Sequence, residues 1–398
     1  MIYKCPNCGG ALKYDANTSK MMCEYCISYF EPEEMTMQTQ ESRATKEEIA
    51  ATNEAVAMDT EDYIEYNVYS CTSCGGELMV NGLESSTFCA YCGQPTIVFN
   101  RVSKELRPQY IVPFSVTKKE AESEIREKLT KGFFVPKEVK QFDVERLRGI
   151  YIPYWLCDMD YKDKQSIKGT VGSGKNKKTR YYYRAAECRY KNITLDASSR
   201  LNDESSQRLE PFDTTRLVPF DAGYLSGYYA DRYDVDKKEI EELAAQRAKW
   251  LFDEEVRKTV KADNLITTSY CPKKRLRDTK YVLLPVWFLT FRYQDEPYTF
   301  LVNGQTGKVV GAVPYVQKLF WLILIGLSVI GTLIGTPIMA GILETDSDER
   351  FKVWLMLVGL GVIAFSAGLK KLAKVKEGIN LSKSKVTLKF VKERQEGS

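Results

Sequence analysis

The chain has 398 residues and balances 57 Lys and Arg against 53 Asp and Glu, for a formal net charge of +4. It contains no histidine, which excludes every mechanism that uses an imidazole as a base, a nucleophile partner or a metal ligand. Hydrophobic residues make up 44% of the chain, which is enough for folded cores and excludes disorder along its whole length.

Four Cys-x-x-Cys pairs occupy the first hundred residues, as two copies with a period of 66 residues. Such a pair directs two thiolates at one ion, and two pairs complete a tetrahedron around Zn²⁺. The spacing predicts two structural zinc ions in a reducing compartment, with disulfides or an iron centre as the alternatives. The predicted ligands are Cys5, Cys8, Cys23, Cys26, Cys71, Cys74, Cys89 and Cys92. We expect zinc ribbon 1 at residues 1–30, a polar acidic linker or helix at 31–66, and zinc ribbon 2 at 67–100.

The ribbon region is strongly acidic. Residues 1–100 hold 5 basic and 15 acidic residues, and no Lys or Arg lies between Cys71 and Cys92. Eight thiolates and two Zn²⁺ would bring the net charge of this region from −10 to about −14. Because a DNA-binding surface neutralises several phosphates with Lys or Arg, the ribbons favour contact with proteins over contact with nucleic acid.

Residues 101–318 predict a middle domain of the α+β class with mainly antiparallel strands and a weak internal duplication. Val-Pro-Phe at 112–114 precedes a helical stretch and then Tyr-Ile-Pro-Tyr-Trp at 151–155. Val-Pro-Phe at 218–220 likewise precedes a helical stretch and then Leu-Leu-Pro-Val-Trp at 283–287. Proline in both aromatic segments indicates strand starts or edges.

A basic segment in this domain interleaves with three consecutive tyrosines at 181–183. Basic and aromatic side chains together suit nucleic acid or anionic lipid headgroups, and a solvated basic hairpin is the simplest alternative. The candidate patch comprises Lys175, Lys177, Lys178, Arg180, Arg184 and Arg189. The glycine-rich stretch at 169–176 ends in Asn176, where a phosphate-binding loop needs Ser or Thr, so it predicts a hairpin turn. No catalytic residues stand out, and no enzyme is predicted.

Two uncharged runs near the C-terminus predict a transmembrane hairpin. Residues 319–343 would span roughly 37 Å and residues 353–369 roughly 26 Å, against a hydrocarbon core of about 30 Å. The tail at 370–398 carries 9 basic and 3 acidic residues. By the positive-inside rule, the tail and the N-terminal domains would be cytoplasmic, on a multi-pass protein of the bacterial cell membrane. Small residues such as Gly331 and Gly335 would allow the first helix to pack closely against the second or, alternatively, to form a homo- or hetero-oligomer with a partner membrane protein.

The paired Cys-x-x-Cys-Gly-Gly motifs, the Pro-aromatic segments and Val-Asn-Gly-Gln-Thr-Gly-Lys-Val-Val-Gly at 302–311 resemble a bacterial family. Together with the predicted hairpin, they are similar to membrane proteins described as TFIIB-type zinc-ribbon-containing. Some members of that family are encoded beside phage-shock-protein-A-like and flotillin-like (SPFH) proteins. The resemblance implies a role in membrane stress or as a membrane scaffold, and it carries over only the eight ribbon cysteines.

These features predict a multidomain chain with two small β zinc ribbons, an α+β middle domain and a C-terminal two-helix transmembrane hairpin. We expect a membrane-anchored, non-enzymatic adaptor that recruits protein partners, phage-shock-protein-A-like or SPFH-type, to the cytoplasmic membrane face. Tethering would raise the effective concentration of such partners, so weak contacts would suffice. The alternative function is a membrane-tethered regulator that binds nucleic acid.

Overall fold

The computed structural model describes most of the chain up to residue 311. The described ranges are 3–35, 63–73, 75–80, 97–130, 135–140, 147–172, 174–198, 203–235, 237–294 and 296–311, with single residues at 89, 91, 94, 313, 316, 322 and 326. Strands dominate these ranges and fall into two sheets.

The first sheet has three antiparallel strands in the order β1-β2-β3. They are β1 (Leu12–Asp15), β2 (Lys20–Cys23) and β3 (Tyr29–Phe30). Asp15 shapes the turn between β1 and β2, because its carboxylate accepts hydrogen bonds from the Asn17 backbone N–H (3.1 Å) and the Thr18 hydroxyl (2.9 Å). The turn places the end of β2, which carries Cys23, beside β1.

The second sheet is large and mixed. Its strands are β4 (Tyr63–Cys71), β5 (Glu77–Val80), β6 (Ile97–Leu106), β7 (Tyr110–Ile111), β8 (Arg148–Val171), β9 (Lys178–Asp196), β10 (Val218–Pro219), β11 (Tyr229–Ala230), β12 (Asp263–Tyr270), β13 (Lys273–Tyr293), β14 (Glu296–Asn303) and β15 (Val309–Val310). Their main order is β10-β7-β13-β8-β11-β5-β4-β6. In addition, β9 and β12 pair with β8, β14 pairs with β13, and β15 pairs with β14.

Four of the described helices accompany this sheet: α1 (Lys118–Thr130), α2 (Lys137–Lys140), which contacts α1, α3 (Asp203–Leu209) and α4 (Lys237–Lys258). A capping box starts α1, because Thr117 and Glu120 exchange hydrogen bonds between their side chains and backbone N–H groups, at 2.8 and 3.3 Å. Buried residues recur along α4 at helical spacing, and they include Ala244, Ala248 and Phe252. The alanines allow the helix to lie close to β8 and β9.

An approximate two-fold axis relates the two longest paired strands, β8 and β13. They are antiparallel, and Ile152 pairs with Leu284 at the point where the axis passes. The short strand β7 runs parallel to β13, as β11 runs parallel to β8. Each short strand precedes a helix: β7 precedes α1, which contacts β14 and β15, and β11 precedes α4, which contacts β8 and β9.

Two tryptophan hydrogen bonds repeat this relation. The indole N–H of Trp287 donates to the Val116 carbonyl (2.8 Å), just before α1. The indole N–H of Trp155 donates to the Val235 carbonyl (3.3 Å), just before α4. In contrast, Val218 and Pro219 form β10, which pairs antiparallel with β7 and lies outside the two-fold relation.

The predicted fold class is wrong. The described chain is mainly β, and the strands predicted for a separate second ribbon belong to the large sheet, since β5 pairs with β11 through Val80 and Tyr229. The region predicted as α+β contains strands of 24, 19 and 21 residues, at β8, β9 and β13. Charged residues on the exposed face of these strands obscure their continuity in the sequence.

The predicted membrane hairpin and membrane localisation are also contradicted. Among the residues that the structure describes, no helix is long and apolar enough to cross a membrane. The 22-residue helix α4 carries charged residues along its whole length. The runs predicted to span the membrane, residues 319–343 and 353–369, lie outside the described residues except for Leu322 and Gly326, and so does the tail at 370–398. The prediction relied on the length of these uncharged runs, on their charged flanks and on the basic tail.

Candidate metal centre

Four cysteine sulfurs of ribbon 1 converge on one point. The Sγ atoms of Cys5, Cys8, Cys23 and Cys26 all lie within 4.8 Å of one another. The Cys5–Cys26 and Cys8–Cys23 Sγ separations are both 3.4 Å, far longer than the ~2.05 Å of a disulfide bond. Four thiolates around tetrahedral Zn²⁺, with Zn–S bonds of about 2.3 Å, lie about 3.8 Å apart. The donor set therefore fits a metal ion.

The two Cys-x-x-Cys pairs of ribbon 1 adopt the same backbone turn. In the first, the Gly9 N–H donates to the Cys5 carbonyl (2.8 Å), and the Cys5 N–H donates to the Gly10 carbonyl (2.7 Å). In the second, the Ile27 N–H donates to the Cys23 carbonyl (2.9 Å), and the Cys23 N–H donates to the carbonyl of residue 28 (3.0 Å). These backbone hydrogen bonds form both knuckles without any contribution from the side chains.

The thiols of this cluster differ in acidity. The Ser28 hydroxyl lies 3.2 Å from the Cys26 Sγ, and hydrogen bonds from the Ser28 side chain and backbone lower the pKa of Cys26 to about 6. For Cys8, a backbone hydrogen bond from Gly10 lowers the pKa, but hydrogen bonds with Cys23 and Cys26 outweigh it and raise the pKa to about 12. Four thiolates this close together require a cation to offset their charge.

Ribbon 1 packs directly on the body of the protein. The Tyr3 hydroxyl donates to the Asp221 carboxylate (3.1 Å), and the Tyr14 N–H donates to the Ser226 carbonyl (3.1 Å). The rings of Tyr14 and Tyr224 meet edge to face, with centroids 5.1 Å apart. The buried cysteines of ribbon 1 belong to the same apolar core as the large sheet. A metal ion here would also hold the ribbon in its docked position.

The described part of ribbon 2 repeats the knuckle geometry. The Cys71 N–H donates to the Gly76 carbonyl and the Gly75 N–H donates to the Cys71 carbonyl, both at 2.8 Å. The Cys89 N–H donates to the Gln94 carbonyl at the same distance. Cys71 and Cys89 are buried, as are the first cysteines of both pairs in ribbon 1. The remaining predicted ligands, Cys74 and Cys92, lie outside the described residues.

An apolar surface that the sequence analysis missed lies on the second knuckle of ribbon 1. Its three side chains, which we call the knuckle patch, are Tyr25, Ile27 and Tyr29, and they are 81%, 70% and 44% exposed. Ile27 has a φ of 59°, in the left-handed region that a β-branched residue rarely adopts. The other Cys-x-x-Cys pairs have glycine at this position, and the described ones, Gly9 and Gly75, have φ of 75° and 71°. An isoleucine at the position where the other three pairs have glycine is the sequence signal for the patch.

The predicted basic patch is divided between two faces of the sheet. Arg184 donates hydrogen bonds to the Thr259 hydroxyl (2.9 Å) and carbonyl (3.1 Å) beside α4. Arg189 pairs with Asp160 (2.9 Å) on the opposite face. Exposed Lys177, Lys178 and Arg180 lie at or near the β8–β9 turn, and the side chain of Lys175 lies outside the described set. The six residues therefore do not form one continuous surface.

The chain was compared with known proteins. No family model matches it, and no solved structure matches it. It is 30% identical over 326 residues to the uncharacterized protein YdjG of Bacillus subtilis (strain 168), and the match covers 78% of this chain and 89% of YdjG. At this identity and coverage, the chain belongs to the same family as YdjG.

Proposed function

We propose that the protein is a non-enzymatic zinc-ribbon adaptor that binds a protein partner through the knuckle patch of ribbon 1. Zinc would occupy both ribbons. Four protein thiolates complete the coordination of Zn²⁺ and leave no position for a substrate or a reactive water, as is typical of structural sites. The metal would therefore shape the binding surface and take no part in a reaction.

The observation that carries the proposal is the conformation and exposure of Ile27. Left-handed backbone costs an L-residue about 1–2 kcal/mol, and glycine avoids that cost. Because the side chain is 70% exposed, burial within the chain recovers little of it. Strain of this kind is typical of functional positions, and contact with a partner is a role that glycine could not fill.

Neighbouring groups restrict the Tyr25 ring and link the two knuckles beside the patch. A Cβ added to Gly10 would lie 2.6 Å from the ring of Tyr25, so the ring lies directly on the glycine backbone of the first knuckle. The Asn7 amide donates to the Ser28 hydroxyl (2.9 Å) and links the two knuckles. A preorganised apolar surface loses less side-chain freedom when a partner binds.

The charge of the residues around the patch indicates which kind of protein surface would bind it. Lys13 pairs with Glu24 (3.3 Å) and Lys20 pairs with Glu31 (2.7 Å), which offsets the charge of both lysines. A zinc ion with four thiolates adds a charge of about −2. The partner should therefore present apolar side chains with a basic rim.

Site-specific photocrosslinking tests the proposal. A benzophenone amino acid replaces Ile27 in the full chain in its native cells, and the matched control replaces Tyr63, which is 57% exposed on β4. We expect a discrete crosslinked partner from position 27, none from position 63, and loss of the product in a Cys8→Ser background. A product that persists after Cys8→Ser, or that forms equally from both positions, would refute the role of the ribbon.

A further inference from the structure

An outer three-stranded part of the large sheet has one covered face and one open face. β8 lies in the middle, with β9 on one side and β12 followed by β13 on the other. The covered face of β8 packs under α4, where the rings of Tyr161 and Phe252 lie 5.2 Å apart. Residues of the opposite parity on β8 point away from α4, and they define what we call the open face.

Strand pairing places the open-face residues in cross-strand rows. The rows, from the β8–β9 turn inward, are Asp263, Thr170 and Thr179; Ile266, Lys168 and Tyr181; Ser269, Ser166 and Tyr183; Lys164 and Ala185; Lys273, Lys162 and Glu187; and Arg275, Asp160 and Arg189. Arg277 also reaches Asp160. Tyr181, Tyr183 and Ile266 are 71%, 61% and 59% exposed, so the outer rows present apolar and aromatic surface to solvent.

The open face carries more positive charge than its ion pairs offset. Lys162 pairs with Glu187 (3.1 Å), and Asp160 accepts from both Arg189 (2.9 Å) and Arg277 (2.5 Å). One further acid, Asp263, lies on the same face. Four further cations lie there too and form no ion pair with another described residue: Lys164, Lys168, Lys273 and Arg275. Lys273 lies directly opposite Lys162, and Glu187 in the same row is bonded to Lys162, so this row keeps a net positive charge.

The two exposed tyrosines are placed to stack on planar rings. Tyr181 and Tyr183 are two positions apart on β9, so they share a face with about 7 Å between their Cα atoms. Tyr181 lies opposite Lys168 in the pairing with β8. A basic surface that also presents exposed aromatic rings combines phosphate contacts with base stacking, the two elements that single-stranded nucleic acids require.

We propose that the open face binds single-stranded nucleic acid, independently of the knuckle patch and of any partner there. Bases would stack on Tyr181 and Tyr183, and phosphates would lie along the unpaired cations. Duplex fits less well, because its bases are already stacked and cannot use the rings. Heparin-like polymers would use the cations and leave the tyrosines without a role, whereas anionic lipid could use both and is therefore tested separately.

Fluorescence anisotropy of the full chain with labelled dT12 and rU12 tests this proposal. Four phosphate contacts give a slope of about −3 for log K against log salt, or about 50-fold weaker binding between 50 and 200 mM salt. Tyr181→Ala with Tyr183→Ala should weaken binding about 10-fold or more, whereas Tyr181→Phe with Tyr183→Phe should retain most of the affinity. Lys164→Gln with Arg275→Gln should make the slope of log K against log salt less negative by about 1.4.

The matched controls are Tyr63→Ala and Lys119→Ala, which alter an exposed tyrosine and an exposed lysine outside the open face; both should leave binding unchanged. Equal affinity for a 12-base-pair duplex, for heparin or for vesicles with 30% phosphatidylserine would overturn the proposal. So would an affinity for the oligonucleotides that does not change when both tyrosines are replaced by alanine. Absence of binding to both oligonucleotides at 50 mM salt would overturn it as well.

Discussion

Replacing Ile27 by glycine and by alanine should give stabilities in an unusual order. At most positions a variant with alanine is more stable than a variant with glycine, because glycine loses more backbone freedom on folding. At position 27 the backbone φ is 59°, which glycine adopts freely and alanine does not. We therefore expect Ile27→Gly to be more stable than Ile27→Ala.

The size of the difference follows from two opposing terms. Removing left-handed strain favours glycine by about 1–2 kcal/mol, and the greater freedom of glycine in the unfolded chain opposes this by about 0.4–1 kcal/mol. The net preference is about 1 kcal/mol for glycine. At the exposed neighbour Glu24, which is not among the residues with positive φ, alanine should be favoured by about 0.5–1 kcal/mol.

Hydrogen exchange measured by mass spectrometry reports the local opening of ribbon 1 through the Cys5 and Cys23 amides, both of which donate backbone hydrogen bonds. Exchange should be about 5-fold slower in Ile27→Gly than in Ile27→Ala, and the order should reverse for the two Glu24 variants. Slower exchange in the alanine variant at both positions would show that Ile27 is not strained and would remove the main support for the knuckle patch.

Three further predictions concern the body of the protein. Phe114 is fully buried and stacks on Tyr228 with centroids 4.2 Å apart, so Phe114→Ala should cost about 3–5 kcal/mol in chemical denaturation, and a loss below 1 kcal/mol would contradict the packing. Trp287→Phe leaves the Val116 carbonyl without its indole donor and should cost about 1–3 kcal/mol, with Trp250→Phe, at an exposed position, as the near-neutral control. Asp160→Asn frees Arg189 and Arg277 on the open face and should tighten dT12 binding in anisotropy, whereas weaker binding would argue against this face.

The metal site of ribbon 1 could be predicted from the sequence because its information is local. Each Cys-x-x-Cys pair forms its knuckle through hydrogen bonds between residues four and five positions apart. Spacing alone therefore identified the four cysteines that the structure brings together. Zinc as the occupant, and a second ion in ribbon 2, stay predictions.

The large sheet could not be predicted in the same way, because its pairings join distant segments. β5 pairs with β11, which places Val80 beside Tyr229 and merges ribbon 2 with the body. Strand segments could be recognised near Tyr161 and at 181–183, but the full length of β8 could not, because the buried polar residues Asp163 and Gln165 interrupt the apolar–polar alternation of a half-buried strand. The membrane prediction relied on uncharged runs and their charged flanks, whereas no helix among the described residues is long and apolar enough to cross a membrane.

Metal analysis of the purified full chain tests the account most directly. We expect two equivalents of tightly bound zinc per chain, one per ribbon, and Co²⁺ substitution should give the thiolate charge-transfer absorption of a four-cysteine tetrahedral site. Cys8→Ser should remove one equivalent, and Cys188→Ser, at a cysteine outside both ribbons, should remove none. A wild-type chain prepared under reducing conditions that holds less than one equivalent, or a full complement after Cys8→Ser, would contradict the account.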